Sequence, residues 1–189
     1  MVLPEAVLIP NALLPLRIFE PQYRAMLRWC IEHDRLFCIA MQNPAEEGPR
    51  DFLPYGGVGL IRACVDAEDG TSNLILQGLA RVKFGKLTQL DPFRVLEIEV
   101  CESTCTNPLE AEALGLKLLE LCARLAEEGH QLPAALMDKL RQITDPELLG
   151  DVVTQTFLRE PSQQQRLMEE VSVSARLRML IRFLQKQVP

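Results

Sequence analysis

Positive charge is in short supply. The 189-residue chain carries 20 Lys and Arg against 26 Asp and Glu, a net charge of −6 at neutral pH, which argues against a surface built to track a phosphate backbone. Long apolar runs are missing too. Stretches such as residues 6–9 and 73–76 fall far short of the roughly 20 residues that a membrane-spanning helix needs. Met1-Val2-Leu3-Pro4-Glu5-Ala6 lacks the basic stretch and apolar region of a secretory signal, so a cytoplasmic location is expected. Histidine occurs only at His33 and His130, which rules out a His-Glu-x-x-His zinc helix. There is no Gly-x-Ser-x-Gly elbow and no Ser-x-x-Lys pair. A phosphate loop needs flexible glycines, a lysine and a hydroxyl. Its nearest approach, Ala80-Arg81-Val82-Lys83-Phe84-Gly85-Lys86-Leu87, has Ala80 for the first glycine and Leu87 for the hydroxyl, and it alternates like a strand.

What is present is an ordinary globular balance, 48% apolar and 24% charged, with length for one large domain or two small ones. Six cysteines (Cys30, Cys38, Cys64, Cys101, Cys105, Cys122) include several inside apolar patterns, as in Leu36-Phe37-Cys38-Ile39-Ala40. A free cysteine behaves as a small buried hydrophobe, so reduced thiols are expected. Cys30 and His33 share a helix face at i, i+3 with Cys38 nearby, but a zinc site would need Cys101 and Cys105 brought in by the fold. The metal-free reading is preferred, and no cofactor is expected. As a nucleophile pair, Cys30 and His33 lack an orienting group and an oxyanion site. Glu46-Glu47 and Glu127-Glu128 read as solvated charge.

Along the chain, residues 1–105 read as a β-rich domain and 106–189 as a helical bundle. Residues 13–19 form an apolar run interrupted by Pro15, which suggests an edge strand or a bulge. Pro21 suits the first position of a helix whose apolar face is Tyr23, Met26, Leu27, Cys30 and Ile31. Residues 36–41 fit a buried strand, and 43–54 a loop. Asp69-Gly70 signals a hairpin between residues 58–65 and 74–76. Residues 81–84 and 95–100 alternate like strands with one wet face. Several short strands and one helix suggest a compact barrel-like unit. Beyond it, Asn107 with Pro108 and Glu110, the Thr144-Asp145-Pro146-Glu147 box, Ser162 with Gln165, and Ser172 each read as a helix start. Gly129 reads as a stop, His130 as a loop residue and Pro133 as a further start. On the last helix Leu177, Leu180, Ile181 and Leu184 point inward, and Arg176, Arg178, Arg182 and Lys186 are expected to face water.

The segment Leu13-Leu14-Pro15-Leu16-Arg17-Ile18-Phe19-Glu20-Pro21-Gln22-Tyr23-Arg24-Ala25-Met26 resembles the opening of the Lon N-terminal substrate-binding domain, especially its free-standing bacterial versions. Further stretches follow in the family's order. Gly56-Gly57-Val58-Gly59-Leu60-Ile61 is similar to its second-strand glycine pattern. Asp69-Gly70, then Asn73-Leu74-Ile75-Leu76-Gln77-Gly78 and Arg81, match its signature, and Pro92-Phe93-Arg94-Val95-Leu96-Glu97-Ile98-Glu99 matches the next strand. Residues 145–184 look like the helical tail. The resemblance implies an α+β protein, a PUA-like β pseudo-barrel followed by a C-terminal helical bundle. It also implies a role in gripping unfolded or damaged polypeptide as an adaptor or holdase, with a separate ATP-dependent protease as a further partner. In full-length Lon an ATPase and a serine–lysine protease follow this domain; the present chain carries neither motif and is expected not to be an enzyme.

Within this frame Gly56, Gly59 and Gly78 mark bulges or close backbone approach. Arg17, Glu20 and Arg81 are candidates for a structural ion-pair network. Phe52, Leu53 and Tyr55, apolar residues in or beside a polar loop, are candidates for polypeptide contact or for folding back onto the barrel. The alternative function is RNA binding through the PUA-like barrel, against which stand the acidic balance and the lack of an aromatic–basic stripe.

Overall fold

The computed structural model describes residues 1–127 and 134–187. Gly129, His130 and Pro133 lie outside them. The chain divides into two compact units, Met1–Cys101 and Glu102–Pro189.

The first unit is a six-stranded sheet with one helix. Its elements are β1 (Val2–Leu3), β2 (Leu13–Ile18), α1 (Pro21–Glu32), β3 (Leu36–Gln42), β4 (Phe52–Asp66), β5 (Ser72–Gln89) and β6 (Val95–Val100). The strand order is β1-β3-β4-β5-β2, with β6 paired to β5 alone. The β4–β5 hairpin turns where Asp69-Gly70 predicts it. Gly70 takes φ +74, and the Asp69 carboxylate accepts from the Thr71 backbone N–H and hydroxyl at 2.9 and 2.7 Å. Pro15 lies in β2, which pairs with β5 only and is an edge strand. α1 starts on Pro21 and buries Met26, Leu27 and Cys30, while Ile31 remains 39% exposed.

The expected pseudo-barrel is not formed, because the sheet does not close. β1 contributes two residue pairs, Val2↔Ala40 and Leu3↔Met41, and β6 hydrogen-bonds to β5. No pairing joins β1 to β2 or to β6 among the described residues. A barrel needs its end strands to hydrogen-bond to each other. Here the chain leaves β1 after Leu3, and residues 7–9 run buried and non-strand across the sheet before β2 begins at the opposite edge.

Glycines make that crossing fit. A Cβ on Gly57 would lie 2.1 Å from the Leu8 carbonyl oxygen, and one on Gly78 would lie 2.1 Å from that of Ile9. The segment is then tied to β5 by Asn11 N–H to Gly78 O and Gly78 N–H to Ala12 O, both 2.9 Å. Leu8, Ile18, Leu27, Ile39, Ile61 and Leu76 are part of the buried core around it.

The second unit contains α2 (Pro108–Glu127), α3 (Ala134–Gln142), α4 (Pro146–Phe157), α5 (Pro161–Glu169) and α6 (Val173–Gln185). Asn107 Oδ1 accepts from Glu110 N–H at 3.2 Å, Asp145 Oδ1 from Glu147 N–H at 2.9 Å, and Ser172 Oγ from Ala175 N–H at 3.4 Å. Ser162 does not cap: α5 opens one residue earlier on Pro161, after Glu160. Leu118, Leu125, Leu140, Val153, Leu177 and Leu180 belong to one buried cluster.

Arg176 corrects the expectation of a water-facing residue. Only 3% exposed, it donates to Glu147 Oε1 at 2.6 Å, to Ser103 Oγ at 3.2 Å and to the Glu170 carbonyl at 2.7 Å. It is one turn before Leu180 and three residues after Val173, on the inward face, where its charge is offset by a carboxylate and by hydrogen bonds.

Two substitutions test the crossing. Gly57→Ala and Gly78→Ala each drive a methyl into a main-chain oxygen that cannot rotate away, and each is expected to cost about 3 kcal/mol or more in urea unfolding. Gly115→Ala in α2, where a Cβ meets nothing closer than 3.6 Å, is the control. It is expected to be neutral or to gain up to about 1 kcal/mol from helix propensity. Equal effects at the three positions would contradict the packing described.

Candidate functional site

A cleft of about 210 Å³ opens where the sheet stays unjoined. Met1 and, on β1, Val2 line one wall, α1 supplies Tyr23, Met26 and Trp29, and β6 supplies Val95, Leu96 and Ile98. Phe52 and Phe84 form the floor, packed edge to face at 5.5 Å. The apolar rim is open to solvent: Trp29 is 47% exposed, Val95 38% and Ile98 45%. Trp29 stacks on His33 at 4.0 Å and lies 6.3 Å from Phe93. The His33 ring bonds through Nδ1 to the Trp29 carbonyl at 2.7 Å, which holds the pair on the last turn of α1.

The polar groups of the cleft are mostly occupied. The Tyr23 hydroxyl donates to Val2 O at 3.1 Å and accepts from Val2 N–H at 3.2 Å. It thereby takes up both backbone groups of β1 that face away from β3. The Met1 amino group donates to Cys38 O at 2.8 Å, and burial pushes its pKa down to about 6. Burial pushes the Cys38 thiol up to about 11, partly countered by that amino group. Arg94 bonds Asp51 at 2.5 Å, and both side chains are about a quarter exposed. A wider hollow of about 340 Å³ lies by the β4–β5 hairpin. Arg24, Arg28, Glu32 and Asp66 put charges of both signs around it, and Ser72 Oγ already donates to Asp66 at 2.7 Å. The smaller, apolar cleft is the better candidate for a binding site.

Of the three residues read as polypeptide contacts, Phe52 lines this cleft, as its buried floor and not in a loop. Leu53 and Tyr55 are half-buried on β4, with the Lys83 ammonium 5.9 Å from the centre of the Tyr55 ring. Arg17, Glu20 and Arg81 are not gathered in one place. Arg17 faces Asp69 at 3.6 Å, and Glu20 accepts from Gln22 at 3.0 Å. Arg81, buried, pairs with Gly57 in the register, eight residues along β5 from the partner of Arg17. All six cysteines are free. Cys30 and Cys38 line the cleft, and no three His, Cys, Asp or Glu side chains form a metal-binding group among the described residues.

Two features have no counterpart in the sequence pattern: Trp29 on the rim, and the exposure of the apolar residues Val95, Ile98 and Val100 on β6 in addition to its wet face. Trp29 falls beside the apolar stripe of α1, and that off-stripe position of the only tryptophan was the available signal.

A family model described as the ATP-dependent protease La (LON) substrate-binding domain matches residues 1–186. Lon protease 2 of Myxococcus xanthus is 27% identical over 186 residues, which cover 96% of this chain and 22% of that protein. The chain spans about a fifth of the length of the first curated relatives it matches. The N-terminal domain of the Mycobacterium avium complex Lon protease matches with a TM-score of 0.81 at 18% identity, over 100% of this chain and 97% of that one. A Lon N-terminal domain protein from Xanthomonas campestris matches with a TM-score of 0.69 at 21% identity, over 96% of each. These two likenesses concern the fold. No helix among the described residues is long and apolar enough to cross a membrane.

The Cys38 thiol gives this region a pH signature. Between its ordinary value of 9.0 and about 11, the unfolded chain releases a proton that the folded chain keeps. Its contribution to stability is therefore complete below pH 9 and is lost as the pH rises toward 11. Urea midpoints at pH 8 and pH 10 are expected to show a smaller alkaline loss for Cys38→Ala than for the parent. Identical losses would contradict a buried thiol.

Proposed function

We propose that this chain, which belongs to the Lon substrate-binding domain family, is a non-catalytic module that binds unfolded or damaged polypeptide in the cleft between α1, β1 and β6. The observation that carries this reading is the apolar rim. Trp29, Val95 and Ile98 stand in solvent around a cleft floored by Phe52 and Phe84. Exposed apolar area that borders a concave apolar site favours association with apolar groups. An unfolded chain supplies such groups and a folded one hides them. Phe52 then serves as a floor against which a bound side chain rests, with Leu53 and Tyr55 following it on β4.

A protein that holds such chains without cutting them acts as an adaptor or holdase, and a separate ATP-dependent protease is the proposed second partner. A cytoplasmic setting belongs to the same proposal. RNA gains no support from the cleft, where Arg94 is already paired with Asp51 and the chain's net charge is −6.

Because the chain has a single tryptophan, its emission reports on the rim. Titration with reduced, carboxymethylated ribonuclease A, a client without tryptophan, is expected to shift the Trp29 emission and to saturate, whereas the native, disulfide-bonded form leaves it unchanged. Trp29→Ala, followed by anisotropy of the labelled client, is expected to weaken binding about tenfold without lowering the melting temperature. Unaltered emission together with no client binding would overturn the reading.

A further inference from the structure

The sheet has two strand edges beside the cleft, and they differ. On β1, the outward N–H and C=O of Val2 are both bonded to the Tyr23 hydroxyl. On β6, the register with β5 pairs Val100 with Val82, Glu99 with Lys83 and Ile98 with Phe84. Cys101 N–H donates to Arg81 O at 2.9 Å. In an antiparallel ladder hydrogen-bonded and non-hydrogen-bonded pairs alternate, so Cys101 and Glu99 turn their backbone groups toward β5. Ile98 and Val100, 45% and 56% exposed, therefore turn theirs away from it. A row of unpaired backbone donors and acceptors on an edge strand is a template for another extended chain.

The two faces of β6 specify what that chain carries. Leu96 and Ile98 line the cleft, as does Val95 at the strand's start, where the register with β5 shifts, whereas Glu97 and Glu99 alternate to the other face. Both glutamates are exposed, and no ion pair to either is seen among the described residues. An added strand would place alternate side chains beside Leu96, Ile98 and Trp29, and the intervening ones opposite the two carboxylates.

We propose that β6 is the docking edge, and that its occupant is an extended polypeptide segment of about five residues, in which apolar side chains alternate with basic ones. The proposal rests on the polypeptide-binding reading of the same cleft and adds how the chain is held: by backbone pairing with Ile98 and Val100, apolar contact on one face and charge complementarity on the other.

The test uses the full chain and a fluorescein-labelled peptide alternating lysine with valine or phenylalanine, followed by anisotropy. N-methylation of the alternate amides that would face β6 is expected to weaken binding about tenfold or more, while methylation of the other set leaves it nearly unchanged. Glu97→Lys with Glu99→Lys, both at exposed positions, is expected to reverse the preference toward the peptide with glutamate in place of lysine. If the peptide binds and neither methylated set matters, strand addition is overturned while cleft binding stands. If the carboxymethylated client binds and the alternating peptide does not, the stated occupant is wrong. If no client binds, the underlying reading has failed as well. Concentration-dependent dimerisation abolished by the two charge reversals would make a second copy the occupant, against the proposal.

Discussion

The sheet unit depends on a close backbone-to-backbone crossing, made at two adjacent residues. The carbonyls of Leu8 and Ile9 lie where side chains of Gly57 and Gly78 would otherwise project. Only glycine lets two main chains approach so closely. This contact carries the chain from β1 at one edge of the sheet to β2 at the other, with Leu8 and Ile9 almost wholly buried on the way. β1 is thereby limited to two residue pairs, the strands do not close into a barrel, and an apolar cleft remains between β1, α1 and β6.

That cleft combines fixed and unfixed parts. Tyr23 holds β1 to α1 through both of its hydroxyl bonds, and Phe52 against Phe84 sets the floor; aromatic pairs of this kind add about 0.5–1.5 kcal/mol beyond their burial. Trp29, Val95 and Ile98 are apolar, exposed and supported from beneath. Binding energy is available there because folding has left it unused, at roughly 25 cal/mol for each Å² of apolar surface removed from water. The second unit is organised differently: Arg176 joins α6 to Glu147 on α4 and to Ser103. Removing one partner of such a buried pair leaves the other charge stranded.

The local grammar of the chain was readable. Pro21 opened α1, Asp69-Gly70 turned the longest hairpin, Pro15 marked an edge strand, and Asn107, Asp145 and Ser172 capped their helices. Each of these signals acts within a few residues. Closure of the sheet is a long-range property with no local signature, and a set of short alternating strands reads alike for an open sheet and a barrel. The site suffered for related reasons. Residues 95–100 alternate as a strand with one wet face would, yet β6 is exposed along most of its length. The prolines and charges around Phe52 read as a loop, yet Phe52 begins a strand. The charge of Arg176 points to water, although its helical position is that of a core residue.

Amide hydrogen exchange with and without saturating reduced, carboxymethylated ribonuclease A separates polypeptide held at the open side of the sheet from polypeptide held elsewhere. New protection is expected at β6, strongest at Ile98 and Val100, and at the last turns of α1 around Trp29, with the helical unit unchanged. Protection confined to residues beyond Cys101, or absent at β6 while the client is bound, would rule out the open-side site.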